Sequence, residues 1–130
     1  MTTMPAPACA ILVVDDDEVS AMRVRQSLEA AGYQVASVTS AAEAVQRIDE
    51  VVPRVVVLDL GLPEGTSFQL MHHLRAMPMW REVPIIAVAS IQRIEDVQRA
   101  IRIGATDFIT KPVNPDALLD RVKRRVGRNA

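Results

Sequence analysis

Residues 11–16 read ILVVDD: four consecutive aliphatic residues followed by two acids. Residues 55–59 read VVVLD and repeat the pattern with a single acid. A strand with one solvent-exposed face alternates apolar and polar residues. An unbroken aliphatic run is instead typical of a strand covered on both faces of a parallel sheet. The two segments therefore predict an α/β fold with carboxylates at the ends of buried strands.

Five apolar runs alternate with five helix-like segments along the chain. The runs cover residues 10–14, 33–38, 55–58, 85–89 and 106–110. Helices are predicted at residues 17–31, 41–51, 66–77, 91–103 and after Asn114. Ser40 with Glu43, and Thr66 with Gln69, match capping boxes. The alternation and the short loops predict an α/β sandwich on a parallel sheet with right-handed crossovers.

Composition limits the function classes. The chain has 130 residues, enough for one domain, and is 49% hydrophobic but only 3% aromatic, so its core must be aliphatic. A net charge of −1 gives no broad attraction to nucleic acid or anionic membrane. No segment reads as a secretion signal or membrane span. We expect a cytoplasmic protein without nucleic-acid or membrane partners, with residues 1–7 extended or disordered and residues 128–130 loose.

Two smaller features have plain interpretations. Cys9 is the only cysteine, which excludes an internal disulfide and a cysteine metal cluster, and we interpret it as a small inert hydrophobe. A basic cluster near the C-terminus fits a solvated helix face better than a nucleic-acid patch. That cluster consists of Arg121, Lys123, Arg124, Arg125 and Arg128.

Charged residues follow three of the predicted strands. In open α/β sheets the ligand site lies at the carboxyl ends of the strands, where the strand order reverses. If the order is 2-1-3-4-5, Asp15, Asp16 and Asp59 crowd together, and Lys111 starts ~10 Å from Asp59, within reach of its long side chain. Three such carboxylates stay ionised comfortably only beside a cation, and oxygen ligands suit Mg²⁺ or Mn²⁺.

This set of side chains suits phosphoryl chemistry. A carboxylate can attack a phosphoryl group and hold it as an acyl phosphate, while a cation and a lysine stabilise the charge on the transferred oxygens. Taken singly, Asp15 could cap a helix, Asp59 could be a turn residue and Lys111 could be a surface residue. Their joint occurrence at the ends of the first, third and fifth strands favours function.

Three motifs resemble the receiver domain of a two-component response regulator. They are ILVVDDD at 11–17, VLDLGLP at 57–63 and GATDFITKP at 104–112. The resemblance spans nearly the whole chain and implies a receiver domain at residues 8–127. It also implies a flavodoxin-like three-layer sandwich: a (βα)5 doubly wound, five-stranded parallel sheet of order 2-1-3-4-5.

The resemblance also implies roles for the residues of the site. Asp59 would accept phosphate from a histidine kinase or phosphotransfer protein. Asp16, Asp59 and the Gly61 carbonyl would hold Mg²⁺, with Asp15 acting through a bound water. Lys111 would pair with the phosphoryl oxygens.

Further implications concern switching. Lys111–Pro112 would be a cis peptide, and Phe108 would be the aromatic switch residue. Signals would leave through the face formed by the fourth helix, fifth strand and fifth helix. The chain would be a phosphoacceptor regulator that assists its own phosphorylation and dephosphorylation, not an enzyme.

The sequence departs from the family pattern at several positions. Ala89 stands where the family has Ser or Thr, and Ser90, which follows it, is expected to cap the next helix rather than to substitute. We therefore expect phosphorylation to survive while the conformational response is muted or differently wired. Ser67 replaces a family glycine and is a candidate cap of the third helix. Neither Gly61 nor Ile91 can orient a water with its side chain, so we expect slow self-dephosphorylation.

Partner surfaces are also predicted. Ile91 and Ile94 are expected to form an exposed apolar strip for a partner or, alternatively, to line the rim of the core. Val97, Ala100 and Ile101 are expected on the core side of the helix. Trp80, in a proline-bounded loop, is expected to be a surface anchor or partial lid. Because the fifth helix ends the chain, output is expected to pass through an unknown downstream protein or by onward transfer of the phosphoryl group. A weak homodimer is a further candidate assembly.

Two rival functions remain. One is a pseudo-receiver, an interaction module with weak or absent phosphorylation-coupled switching, because Ala89 replaces the usual Ser or Thr. The other is a phosphatase that forms an aspartyl phosphate. Such an enzyme tends to need a second acid two residues after the nucleophile, where this chain has Gly61.

Overall fold

The structure, a computed structural model, describes residues 10–48 and 52–126, without the side chain at position 48. The predictions for residues 1–7, residues 128–130, Cys9, Arg128 and the end of the second helix lie outside the described residues. The strands are β1 (Ile11–Val14), β2 (Val35–Val38), β3 (Val55–Asp59), β4 (Ile85–Ser90) and β5 (Asp107–Lys111). The helices are α1 (Glu18–Ala30), α2 (Ala41–Ile48), α3 (Thr66–Ala76), α4 (Ile94–Ile103) and α5 (Pro115–Val126). Two 3₁₀ turns, Pro63–Gly65 and Ile91–Arg93, precede α3 and α4.

All strand pairs are parallel, and the sheet order is β2-β1-β3-β4-β5. Helices α1 and α5 pack on one face, and α2, α3 and α4 pack on the other. The predicted three-layer, doubly wound sandwich is therefore confirmed. No helix within the described residues is both long enough and apolar enough to cross a lipid bilayer.

The sheet separates two hydrophobic cores. Along β3, Val56 and Leu58 enter the core under α2, α3 and α4, while Val55 and Val57 enter the core under α1 and α5. Side chains that alternate between two covered faces explain why the strand sequence is continuously aliphatic. By the same alternation, Asp59 lies on the α1/α5 face with Val57.

Several predicted helix boundaries are confirmed. The Asp17 side chain accepts a hydrogen bond from the Val19 amide at 3.0 Å and begins α1. The Ser40 hydroxyl accepts from the Glu43 amide at 3.0 Å, and the Glu43 carboxylate accepts in return from Thr39. The Asn114 side chain accepts from the Ala117 amide at 3.0 Å and caps α5.

Three predictions about local structure are wrong. Thr66 and Gln69 do not form a capping box: Gly65 precedes α3 in a left-handed conformation (φ 71°), and the Thr66 hydroxyl donates to the Pro63 carbonyl. Trp80 is 1% exposed and belongs to the core under α3 and α4, because the loop between its prolines folds inward. Ile101 is 50% exposed, since Val97 and Ala100 take the buried side of α4.

Candidate functional site

Three carboxylates meet at the carboxyl edge of the sheet. Asp15 and Asp16 directly follow β1, and Asp59 is the last residue of the adjacent strand β3. One carboxylate oxygen from each of the three lies within 4.8 Å of the others. Asp15 and Asp59 are buried, whereas Asp16 is exposed.

The amine of Lys111 joins this group from β5, which lies two strands away from β3. Its Nζ atom is 3.3 Å from Oδ1 of Asp59. The structure thus brings together the four charged residues that the sequence places at strand ends. The peptide between Lys111 and Pro112 is cis.

Main-chain amides hold the two buried carboxylates in place. The Gly61 amide donates to Oδ1 of Asp59 at 3.0 Å, and the Asp17 amide donates to Oδ1 of Asp15 at 2.9 Å. Burial raises the pKa of Asp15 from 3.8 to about 6, and the charge and hydrogen bond of Asp59 act in the same direction. The Asp17 amide and the Lys111 amine lower that pKa. The pocket is therefore short of positive charge.

The donor set fits a small hard cation. The three carboxylate oxygens lie within 4.8 Å of one another, and carboxylate oxygens are ligands that Mg²⁺ prefers. Gly61, the remaining predicted ligand residue, stands in the exposed loop directly after β3.

Ser67 has a role at this site that sequence reasoning missed. It is completely buried, and its hydroxyl donates to the main-chain carbonyl of Asp59 at 2.7 Å. It does not cap α3, whose first residue is Thr66. The available signal was helical spacing, because Ser67 shares the buried side of α3 with Leu70, Met71 and Leu74.

A cavity of about 430 Å³ opens beside the carboxylates, between α1 and α5. Valines on the sheet form its floor, and Arg23 and Ser27 of α1 face Pro115 and Leu118 of α5 across it. Asp15, Asp59 and Lys111 line the same cavity, so the buried carboxylate of Asp59 can be reached from solvent.

The residues expected to act in switching lie on both faces of the sheet. Ala89 is buried in the core under α3 and α4, and Phe108 packs half-buried against that core. The Ser90 hydroxyl accepts a hydrogen bond from the main-chain amide of Gln92 at 3.3 Å. It donates one to the side-chain oxygen Oε1 of Gln92 at 3.1 Å. The predicted capping by Ser90 is confirmed, although the element that it caps is the 3₁₀ turn before α4.

An apolar strip runs along the exposed flank of α4. Ile91 is 69% exposed and Ile94 is 50% exposed, as expected, and Ile101 extends the strip. The guanidinium of Arg99 lies 4.2 Å from the centroid of the Phe68 ring, which marks the flank that faces α3. Ile94 and Ile101 are seven residues apart, so they lie on the same side of the helix. Arg99 lies on the other side, so the two isoleucines line the flank of α4 that faces away from α3.

His72 and His73 are exposed on α3, and the basic segment of α5 lies near β5. In the basic segment of α5, Arg121 and Arg125 approach Asp107 at 3.5 and 3.8 Å. These ion pairs join α5 to β5, in keeping with a structural interpretation of this part of the basic cluster.

Comparison with known proteins agrees with this geometry. The sequence matches the response regulator receiver domain over residues 11–123. The transcriptional regulatory protein KdpE of Mycobacterium tuberculosis is 34% identical over 119 residues, which are 92% of this chain and 51% of that protein. The chain therefore spans about half the length of this relative.

Solved structures give the same result. A putative response regulator from Chloroflexus aurantiacus superposes with a TM-score of 0.87 at 30% identity, covering 93% of this chain and 99% of that one. The receiver domain of the sensor histidine kinase PA1611 from Pseudomonas aeruginosa has a TM-score of 0.83 at 26% identity, covering 92% of this chain and 98% of that one, and carries a magnesium ion in its active-site cleft. With three carboxylates and a lysine at the carboxyl edge of a 2-1-3-4-5 sheet, and with these matches over nearly its whole length, the chain belongs to the response regulator receiver domain family.

Proposed function

We propose that this protein is a cytoplasmic, phosphorylation-dependent signalling switch of a two-component system. Asp59 accepts a phosphoryl group from a histidine kinase or a phosphotransfer protein. The observation that carries the proposal is the distance of 3.3 Å between Lys111 Nζ and Asp59 Oδ1. The amine is thus already beside the carboxylate that would carry the phosphoryl group.

The chemistry follows from the groups around Asp59. An oxygen of Asp59 attacks phosphorus, a new O–P bond forms, and the bond between phosphorus and the donor atom breaks with its electron pair leaving on the donor. Lys111 stabilises the charge on the phosphoryl oxygens. The Gly61 amide, 3.0 Å from Oδ1 of Asp59, holds the carboxylate in one orientation.

Mg²⁺, or Mn²⁺ in its place, would be held by Asp16, Asp59 and the Gly61 carbonyl, with Asp15 acting through a bound water. When bound, the ion neutralises charge on the carboxylates and on the phosphoryl oxygens. The three carboxylate oxygens within 4.8 Å support this assignment. The magnesium ion in the cleft of the PA1611 receiver domain supports it as well.

Output would pass through the face that α4, β5 and α5 form, to a downstream protein or to a second copy in a weak homodimer. Exposed isoleucines support this proposal: Ile91 in the 3₁₀ turn before α4, and Ile94 and Ile101 in α4, are each at least half exposed. Large apolar side chains exposed together are a common mark of a protein-binding surface.

A pseudo-receiver that no longer couples phosphorylation to a response is the second candidate. Ala89 favours it, because this residue is buried in the core against which Phe108 packs and has no hydroxyl to offer a phosphoryl group. The structure offers no support for a phosphatase that forms an aspartyl phosphate, because Gly61 supplies no acid at the position two residues after Asp59. We further propose slow self-dephosphorylation, since neither Gly61 nor Ile91 has a side chain that can orient a water.

Incubation with acetyl phosphate and Mg²⁺, followed by intact-protein mass spectrometry, tests the proposal. We expect the wild-type protein to gain the mass of one phosphoryl group, and we expect the gain to disappear with EDTA or in Asp59→Asn. Asp120→Asn, which alters an exposed acid of α5, is the matched control and should be phosphorylated normally. A wild-type protein that gains no mass would contradict the proposal and favour the pseudo-receiver.

A further inference from the structure

Ser90 stands between the two residues that define the site. Strand β4 lies between β3 and β5, and Ser90 is the register partner of Lys111. The Lys111 side chain therefore crosses the end of β4 to bring its amine within 3.3 Å of Asp59. A group bound to Asp59 and Lys111 has the end of β4 as its neighbour.

Ser90 also projects to the appropriate side of the sheet. Ile86 and Val88 enter the core under α1 and α5, whereas Ala87 and Ala89 enter the opposite core. Alternation along the strand puts Ser90 on the face that carries Val57 and Asp59. Because Asp59 pairs with Val88, Ser90 lies one strand across and two residues onward, ~8 Å between Cα atoms. An aspartyl phosphate and a serine side chain together can span that separation.

The hydroxyl of Ser90 donates its proton to a side-chain oxygen that another acceptor can replace. The proton is donated to Oε1 of Gln92 at 3.1 Å, and Gln92 is an exposed residue of the 3₁₀ turn Ile91–Arg93. The main-chain amide of Gln92 donates a second hydrogen bond, at 3.3 Å, to a lone pair of the Ser90 oxygen. This second bond does not use the hydroxyl proton. A charged phosphoryl oxygen is a stronger acceptor than a neutral side-chain amide. The hydroxyl can thus rotate its proton to a new acceptor and still cap the turn.

We propose that Ser90 is a phosphoryl-binding residue: on phosphorylation of Asp59 its hydroxyl leaves Oε1 of Gln92 and donates to a phosphoryl oxygen. This inference rests on the proposed phosphorylation of Asp59 and adds a residue that would bind the phosphoryl group. The exchange releases the side chain of Gln92, which belongs to the 3₁₀ turn that carries Ile91. The response would thereby reach the apolar strip of α4 from the α1/α5 face, without a hydroxyl at Ala89.

A beryllofluoride titration in the presence of Mg²⁺, followed by NMR, tests the inference, because beryllofluoride mimics a phosphoryl group on aspartate. In the wild-type protein we expect the side-chain amide signals of Gln92 to shift as the adduct forms. In Ser90→Ala these signals should be shifted before the ligand is added, and the Kd for beryllofluoride should rise about tenfold with the loss of a hydrogen bond to a charged acceptor. Ser90→Thr retains a hydroxyl and should restore the wild-type Kd within about twofold.

Two further variants separate this role from capping. Gln92→Ala frees the hydroxyl while the cap remains, and should lower the Kd about twofold to threefold. Gln98→Ala, an exposed glutamine elsewhere on α4, is the matched control and should leave the Kd unchanged. A Ser90→Ala protein that binds beryllofluoride as tightly as the wild type, or Gln92 side-chain signals that do not move in the wild type, would overturn the inference and leave the proposed function standing. A wild-type protein that binds no beryllofluoride would overturn both.

Discussion

At the scale of single residues, the site depends on acids held close together against their mutual repulsion. Asp15 is 6% exposed and lies beside Asp59, and burial raises its pKa to about 6. Lys111 offsets only part of the negative charge that the pocket carries near neutral pH. The pocket is therefore built to gain from a cation, and the protein without metal loses stability there.

Asp15→Asn should stabilise the metal-free protein near neutral pH. The folded-state pKa of Asp15 is raised from 3.8 to about 6, so its stabilising contribution is complete below the lower value and is lost as the pH rises through the upper one. In EDTA at about pH 7.5 we expect the variant to exceed the wild type by roughly 1–2 kcal/mol in the free energy of unfolding. At about pH 3, below both pKa values, the two proteins should be nearly equal. Urea denaturation at both pH values measures the difference, and a variant less stable than the wild type at the higher pH would contradict this explanation.

Ala89→Thr should enlarge the response to phosphorylation. A hydroxyl at position 89 would restore the Ser or Thr of the family pattern, in the core against which Phe108 packs. We expect larger chemical-shift changes in α4 on formation of the beryllofluoride adduct than the wild type shows. Ala89→Val, which adds bulk without a hydroxyl, is the matched control. Equal shifts in the Thr variant and the wild type would count against a role for position 89 in coupling.

At the scale of secondary-structure elements, α3 is fixed at both ends. Near its beginning, Ser67 donates to the main-chain carbonyl of Asp59. Near its end, Arg75 donates two hydrogen bonds to the Gly104 carbonyl, at 2.7 and 3.1 Å, and one to the Trp80 carbonyl at 3.0 Å. The helix thus connects β3, the strand that ends at Asp59, to the C-terminal end of α4, the helix that carries Ile94 and Ile101.

Arg75→Ala should destabilise the protein by about 2–3 kcal/mol, because three main-chain hydrogen bonds from a charged donor are lost and two half-buried carbonyls are left without it. The fit at this contact is close, since a Cβ atom on Gly104 would lie 2.7 Å from Nε of Arg75. Urea denaturation measures the loss. Arg81→Ala removes an exposed arginine from the following loop and should change the stability by less than about 0.5 kcal/mol. Equal stabilities of the two variants would show that Arg75 does not fasten α3 to α4.

The sequence predicted the elements well where a local pattern fixes the structure. Aliphatic runs marked the strands, and capping side chains such as Asp17 and Asn114 marked helix starts that the structure confirms. The capping box at Thr66 failed because Gly65 adopts a left-handed conformation, which turns the chain into α3 without a side-chain cap. The predictions for Trp80 and Ile101 were wrong because the burial of these residues depends on how a loop and a helix are rotated against the core. No local sequence pattern specifies that rotation.

At the scale of the whole molecule, the sheet order is what assembles the site. Residues from β1, β3 and β5 meet only because β1 adjoins β3 and one strand separates β3 from β5. The sequence predicted this meeting from acids and a lysine at strand ends, together with the resemblance that supplied the order. It could not predict the hydrogen bond of Ser67, because this depends on which face of α3 the hydroxyl occupies, whereas the cap formed by Ser90 follows from the local sequence.

Mg²⁺ should stabilise the whole fold. Because the carboxylates converge only in the folded chain, the ion binds the native state in preference to the unfolded state, and a concentration 100 times its Kd should add about 2.7 kcal/mol. Thermal unfolding with increasing Mg²⁺ measures the effect. The gain should shrink below about pH 6 as Asp15 takes up a proton, and it should be largely lost in Asp16→Asn. A gain of the same size in Asp16→Asn would place the ion elsewhere.

The location of the phosphoryl group is the most direct test of the central claim. After incubation with acetyl phosphate and Mg²⁺, borohydride reduction converts a phosphorylated aspartate to homoserine, and peptide mass spectrometry then identifies the residue. We expect homoserine at position 59 alone, and only when Mg²⁺ is present. Modification at Asp15 or Asp16 in place of Asp59, or equal modification in EDTA, would contradict Mg²⁺-dependent phosphorylation of Asp59.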